Sequence, residues 1–482
     1  MLIDARLLGA SRPELARSIV TLRAEGARRG RWIMDANRAD EAWPSATAAW
    51  YAVIILLVAY TFGFIDRTIM TILVEPIEAD LHIKDTAIGV LHGFAFVIFY
   101  VTLGVPLGAL ADRSNRKRMI CASIALWSLA SASCGLARSF SQLFVARIGV
   151  GIGEAGLSPA TYSLIADYFP PERRSAPLGV YQLGIYLGSG LAILAGGLVL
   201  AIVGASPTLH VPVLGTIRSW QAVFFIAGLP GLLVAALTAT VREPPRRQAG
   251  PVKGQAKEEW AATLGHVGAN KAVYMLHFVG FACLGTPFNV ALLWARPYFT
   301  RCFGITPTDG AYAVGLVMLS CATAGIVIGS LTADRMQRAG RIDATIRVGL
   351  FAGFALLPFV IAFPFLPTFH TALADLAAVL FFGAFAIGAA PAALQLITPN
   401  RMRGVISALY LLVVNLTGQA SGPVLTGFFT DYVFKDPKAV GFSVAIVSTL
   451  AAVVATATLW ALVGPFRRAS QSYGAVKEAA FS

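Results

Sequence analysis

The sequence predicts an all-α polytopic membrane protein with 12 transmembrane helices arranged as two pseudo-symmetric six-helix bundles. Three observations carry that prediction. The 482 residues are 57% apolar and only 13% charged, whereas an ordinary soluble domain has about 25% charged residues. Apolar stretches long enough to cross about 30 Å of hydrocarbon recur along the whole chain. Short charged motifs that follow the second and fourth stretches return after the eighth and tenth, which marks an internal duplication.

Taken in order, residues 1–47 form a basic tail with eight arginines and no apolar run of the kind that makes a cleavable signal. The first span is therefore expected to act as the insertion signal. A first bundle, 48–241, holds apolar stretches at 48–74, 86–111, 118–138, 140–168, 174–203 and 219–241. A linker, 242–268, contains Pro244-Pro245-Arg246-Arg247 and a short polar run. A second bundle, 269–464, holds stretches at 269–300, 309–333, 343–366, 370–398, 402–431 and 438–464, and a tail of 465–482 follows.

The formal charge of +13 admits nucleic acid, a membrane surface or an acidic substrate as partner, and the positions of the charges decide between them. Of the 38 Lys and Arg residues, 29 fall in the two tails and in the loops on the same side as the tails. The positive-inside rule then places both termini in the cytosol of a multi-pass protein, expected in a bacterial inner membrane. Nucleic-acid binding loses its main support. The five cysteines form no CxxC pair, so neither a disulfide framework nor a metal site is expected. No cofactor is expected, and a monomer is.

The repeated motifs are specific. Gly108-Ala-Leu-Ala-Asp112-Arg113-Ser-Asn115-Arg116-Lys117-Arg118 follows the second stretch, and Ser330-Leu-Thr-Ala-Asp334-Arg335-Met-Gln-Arg338 follows the eighth. Pro171-Glu-Arg173-Arg174 after the fourth is matched by Pro399-Asn-Arg401-Met-Arg403-Gly404 after the tenth. The first of these resembles the loop motif of the major facilitator superfamily, with Asn115 where the usual pattern has a glycine. Asn tolerates the left-handed geometry that position needs. The resemblance covers 48–464 and implies the superfamily's fold of two six-helix bundles and a transporter's function. Asp112, Arg113 and Arg116, with Asp334 and Arg335 in the repeat, are then expected to form a cytosolic gate that latches the halves in one state.

Phe64-Ile-Asp66-Arg67-Thr, Arg147-Ile-Gly-Val-Gly151-Ile-Gly153-Glu154-Ala, and Asn415-Leu-Thr-Gly-Gln-Ala-Ser-Gly422-Pro423 are similar to the Spinster-like branch of that superfamily. That resemblance implies a proton-linked transporter of lysophospholipid or sphingoid type.

Asp66, Arg67, Arg147 and Glu154 lie well inside the apolar stretches of the first half. A charge at the bilayer centre costs at least about 2.5–3.5 kcal/mol, so four in one half need one another or water. Asp66 and Arg147 are expected at one level, about 10–12 Å from the outer surface, with Glu154 two turns deeper on the face of Arg147. A carboxylate held by an arginine stays ionised; one that loses its partner in a low-dielectric cavity takes up a proton. On this reading Asp66 is the main proton acceptor. Arg67 and Arg147 alternate as its counter-charge or clamp an anionic head group, and Glu154 relays or tunes. The bland alternative is a permanent charge cluster that holds two spans together. Gln182, His277 and Asn289 are candidate cavity contacts, although each also suits helix packing.

Gly151-Ile-Gly153-Glu-Ala-Gly156 matches the dinucleotide fingerprint in form but follows no strand. No Walker, H-E-x-x-H or G-x-S-x-G sequence occurs, so neither an ATP-driven pump nor a hydrolase is expected. The expectation is a secondary transporter, not an enzyme, that works by alternating access with protons, membrane lipids and an amphipathic small molecule as its partners. The runner-up substrate class is small organic anions or drugs. A membrane sensor or lipid-modifying enzyme would explain the span count alone.

Overall fold

The structure is a computed structural model and describes residues 43–111, 113–170, 173–203, 208–211, 215–246, 255–399 and 402–479. It is helical almost throughout. Ten helices among the described residues are long and apolar enough to cross a membrane, from Ala46–Ile72 to Pro437–Gln471. The stretches expected at 118–138 and 140–168 are also helical but do not meet that measure. The first, Arg116–Cys134, begins with three consecutive basic residues, and the second is interrupted after Glu154.

In chain order the first half comprises α1 (Ala46–Ile69), α2 (Val74–Leu81), α3 (Asp85–His92), α4 (Phe94–Ala111), α5 (Arg116–Cys134), α6 (Phe140–Glu154), α7 (Leu157–Tyr168) and α8 (Ser175–Val203). A hairpin of β1 (Thr208–Val211) and β2 (Gly215–Arg218) then precedes α9 (Ser219–Gly228) and α10 (Pro230–Ala239). This hairpin departs from the all-helical expectation and sits outside the spans, where Arg218 Nε and Trp220 Nε1 bind the Asp80 carboxylate at 2.8 and 3.0 Å.

The region expected as a linker carries α11 (Gln255–Ala269). The second half holds α12 (Lys271–Phe303), α13 (Pro307–Val317), α14 (Thr323–Arg338), α15 (Ala344–Ala362), α16 (Phe369–Phe385), α17 (Ala389–Ile397), α18 (Arg403–Val414), α19 (Gly422–Phe428) and α20 (Val440–Ala479). α20 runs on through the expected tail because Pro465, inside it, does not end the helix.

Within the first half α1 packs on α8 and α5 on α6; within the second, α20 packs on α12 and α15. The halves meet mainly through α3 against α19 and α8 against α13. All four segments lie toward the face opposite the two chain ends. On the terminal face, no comparable packing joins α7, α14 or α17 to the other half. Among the described residues, the halves are packed together at the far face and parted at the terminal face.

Candidate functional site

Adjacent residues on a helix point about 100° apart, and this sends Asp66 and Arg67 to different neighbours. Asp66, on the buried side of α1, accepts a hydrogen bond of 2.7 Å from Ser131 Oγ of α5. Arg67 turns toward α6 and forms a buried ion pair with Glu154, its Nε donating to Oε2 at 3.1 Å. Three rings surround the Arg67 guanidinium, with centroids at 4.6 Å for Phe64, 4.5 Å for Phe96 and 4.7 Å for Tyr100. A cation held against ring faces away from water is stabilised by the ring quadrupoles.

Arg147 is fully buried and lies 5.6 Å from the Phe96 centroid. None of its three guanidinium nitrogens has a hydrogen-bond partner among the described residues, and neither has Glu154 Oε1. The expected Asp66–Arg147 pair is therefore not the one formed: Arg67 takes Glu154, and Ser131 serves Asp66. Depth explains the exchange. Gly63 lies one turn below Arg67, at the level of the Glu154 carboxylate, where a Cβ would make ordinary van der Waals contact with Glu154 Cδ at 3.9 Å. The long arginine side chain reaches down to the deeper carboxylate.

Two glycines bring α6 into place. A Cβ on Gly151 would stand 2.5 Å from the Phe96 carbonyl oxygen of α4, and one on Gly153 would stand 2.5 Å from the Trp127 nitrogen of α5. Helix backbones thus touch on both sides of the turn that ends in Glu154. The helix stops there because Gly156 is a weak helix former and Pro159 has no N–H to offer the Ala155 carbonyl. The second half repeats this break: α16 stops at Phe385, and Gly388 and Pro391 keep the same three-residue spacing.

The remaining expected positions divide. His277 is fully buried, and its Nε2 is 2.9 Å from the Ala390 carbonyl oxygen with Phe281 and Tyr410 packed around it. Asn289 is half-buried and donates to the Gly285 carbonyl of its own helix at 2.9 Å. Gln182 is half-buried, and its Oε1 has no hydrogen-bond partner among the described residues.

Asp112 of the expected gate lies outside the described residues. Arg113, Asp334 and Arg335 are exposed and form no ion pair among the described residues. Arg116 is buried and pairs with Asp167 and, at 2.7 Å, with Glu243, both reached without crossing to the second half. It pins the start of α5 to the ends of α7 and α10. With the halves parted on this face, no carboxylate of the second half is available to it.

The contacts that do cross lie at the far face, and sequence reasoning missed them. Arg301, at the end of α12, donates to Asp85 at 2.7 and 2.8 Å and to Glu78 at 2.8 Å. Asp431 accepts from Thr86 N at 2.7 Å and from Thr86 Oγ1 at 2.6 Å, at the N-terminus of α3. Arg296 donates to the carbonyls of Thr71 and Ile72 at 2.6 and 3.0 Å. No motif marks these residues; the only hint in the sequence was that Arg296 and Arg301 lie beyond the basic, terminal-face loops. Among the described residues, no group of three or more His, Cys, Asp or Glu could hold a metal ion.

The family profile described as Major Facilitator Superfamily matches residues 55–423. The chain belongs to the major facilitator superfamily. Within that superfamily it is Spinster-like. An MFS-type efflux pump of Mycolicibacterium smegmatis is 28% identical over 90% of this chain and 97% of its own length. Human protein spinster homolog 1 is 26% identical over 79% of this chain and 73% of its own. A solved bacterial homologue of the human lysosomal transporter Spinster, inward-facing and unoccupied, has a TM-score of 0.71 at 25% identity, covering 89% of this chain and 98% of that one. The D-xylose-proton symporter, at 18% identity and a TM-score of 0.64, shares the fold. The charge cluster thus lies in the first bundle of a major facilitator transporter.

Proposed function

We propose that this transporter is a proton-coupled carrier that moves an amphipathic, lipid-like substrate across a bacterial inner membrane by alternating access. It is a carrier and not an enzyme, and both termini face the cytosol. The single observation that carries the reading is the buried group of two carboxylates and two guanidiniums, in which Arg67 is hydrogen-bonded to Glu154 and the Arg147 guanidinium has no hydrogen-bond partner among the described residues. Leaving the donors of a buried cation without hydrogen bonds is costly, and a charged group kept at such a cost in a membrane span is a functional-site candidate.

The parted terminal face supports an inward-facing state, and the concentration of basic residues there supports its assignment to the cytosol. In that state a proton on Glu154 releases Arg67, and Asp66, whose hydrogen-bond partner among the described residues is Ser131, is the acceptor placed for exchange with the second guanidinium. Aromatic rings lining the same space suit an amphipathic molecule. The Spinster homologues among the relatives favour a lysophospholipid or sphingoid type.

Proteoliposomes test the coupling. Asp66→Asn should abolish uptake driven by a pH gradient while leaving folded protein and counterflow exchange; undiminished gradient-driven uptake would refute the role. The Arg147 guanidinium, without a hydrogen-bond partner among the described residues, favours a second reading, in which a carboxylate-bearing small anion or drug is the substrate, in line with the efflux pump among the relatives. A binding panel of lysolipids against small organic anions separates the two.

A further inference from the structure

α4 and α5 follow one another in the chain but make only sparse contact, each packing instead on α6. The gap between them is a cavity of about 530 Å³ at the terminal-face end of the first half. Leu107 and Leu110 of α4 form one wall, Arg118 and Leu126 of α5 the other, and Ile152 of α6 the floor. Leu110 and Leu126 are exposed to the surroundings of the molecule. From Arg118 to Leu126 is eight residues, so the apolar track runs about 12 Å down from its basic rim.

One rim cation, Arg118, has no side-chain partner among the described residues. Of the four cations between 113 and 118, Arg116 is taken by Asp167 and Glu243, and the Lys117 amine donates to the Ala239 carbonyl at 3.3 Å. Arg118 is exposed; its backbone N–H is capped by Asn115 at 2.8 Å, while its guanidinium has no partner among the described residues. Ser114 Oγ, also in the lining, is buried and has no hydrogen-bond partner among the described residues. A cation and a hydroxyl at the level of the lipid head groups, above an apolar slot of about one acyl chain's depth, match an anionic amphiphile in charge and shape.

We propose that this groove binds an anionic phospholipid of the surrounding leaflet, with its phosphate on Arg118 and one acyl chain between Leu110 and Leu126. The chain end rests on Ile152, between the two glycines that seat the Glu154 turn. The site is separate from the charge cluster and does not depend on which substrate is carried.

Native mass spectrometry of the full chain, extracted from liposomes of equal parts dioleoyl phosphatidylglycerol and dioleoyl phosphatidylcholine, tests it. The wild type should retain phosphatidylglycerol with at least about a fivefold preference, the value of one arginine facing an anionic head group. Arg118→Gln should reduce that preference about fivefold, and Ala122→Trp, which fills the slot, should reduce retention of both lipids. Equal retention of the two lipids by the wild type, an unchanged preference in Arg118→Gln, or full retention in Ala122→Trp would each overturn the proposal.

Discussion

Removing Arg301 should open the far face. Its guanidinium is the centre of three hydrogen bonds of 2.7–2.8 Å to Asp85 and Glu78, which belong to the other half. The side chains are 12%, 5% and 16% exposed. Fully exposed ion pairs contribute at most about 1 kcal/mol, and truncating one partner of a fully buried pair costs about 3–5 kcal/mol. This largely covered cluster falls between, at about 2 kcal/mol in favour of the closed far face, or about a thirtyfold shift in the closed-to-open ratio on Arg301→Ala.

The assay is a distance measurement by pulsed electron resonance. Spin labels go at His82 and Lys435, both exposed and one on each half, in a variant lacking the five native cysteines. Arg301→Ala should move population into a longer distance, and Asp85→Asn should do the same. The double variant should add little to either, because both remove one interaction. An unchanged distribution in Arg301→Ala, or full additivity in the double variant, would refute the reasoning.

Glu78, in the short helix outside the spans, is pushed above the usual carboxylate range, chiefly by burial and then by hydrogen bonding with Asp85 and by its charge, while Arg301 pulls it down. A raised acid favours the closed far face at low pH, where it is protonated in both states, and loses that contribution as pH rises past the ordinary carboxylate value. The same label pair should therefore open with rising pH, and Glu78→Gln should flatten the response. Gly151→Ala places a methyl 2.5 Å from the Phe96 carbonyl oxygen, so it should cost about 1–3 kcal/mol and lower the melting temperature in detergent by several degrees. Burial alone would raise Asp343, but hydrogen bonds from Arg467 and Arg347 outweigh it and hold this carboxyl below its usual value. Its contribution is present above the ordinary carboxylate value and fades as the solution is acidified. Asp343→Asn should remove that acid sensitivity and cost about 1 kcal/mol in thermal stability assays.

Much of the fold was legible because hydrophobic length is a local signal and the duplicated loop motifs fixed the two-part order. The four charged residues of the candidate site stand out in the sequence because each is conspicuous where charge is expensive. Their pairing was not legible. Depth along the span suggested Asp66 and Arg147, but the outcome turned on the direction in which Arg67 leaves its helix and on the length of its side chain. The rings around Arg67 were visible as Phe96 and Tyr100 one turn apart, yet one-turn aromatic pairs are ordinary in any apolar helix. The far-face contacts were illegible because Arg301 and Asp85 lie 216 residues apart and read separately as loop-end charges. The partners of Arg116 were not legible either: its motif points to a gate, and in this conformation it holds the carboxylates of Asp167 and Glu243.

The two bonds from Arg296 end on main-chain oxygens of Thr71 and Ile72. Every residue type supplies a carbonyl, so no substitution at 71 or 72 that keeps the local backbone can delete the acceptor or demand a matching change at 296. Such a joint leaves no paired signature in the variation of related sequences, in contrast to the carboxylate clasp beside it. Evolution is free to vary the chemistry of the span-one end while retaining its anchorage, provided that a single position keeps its arginine.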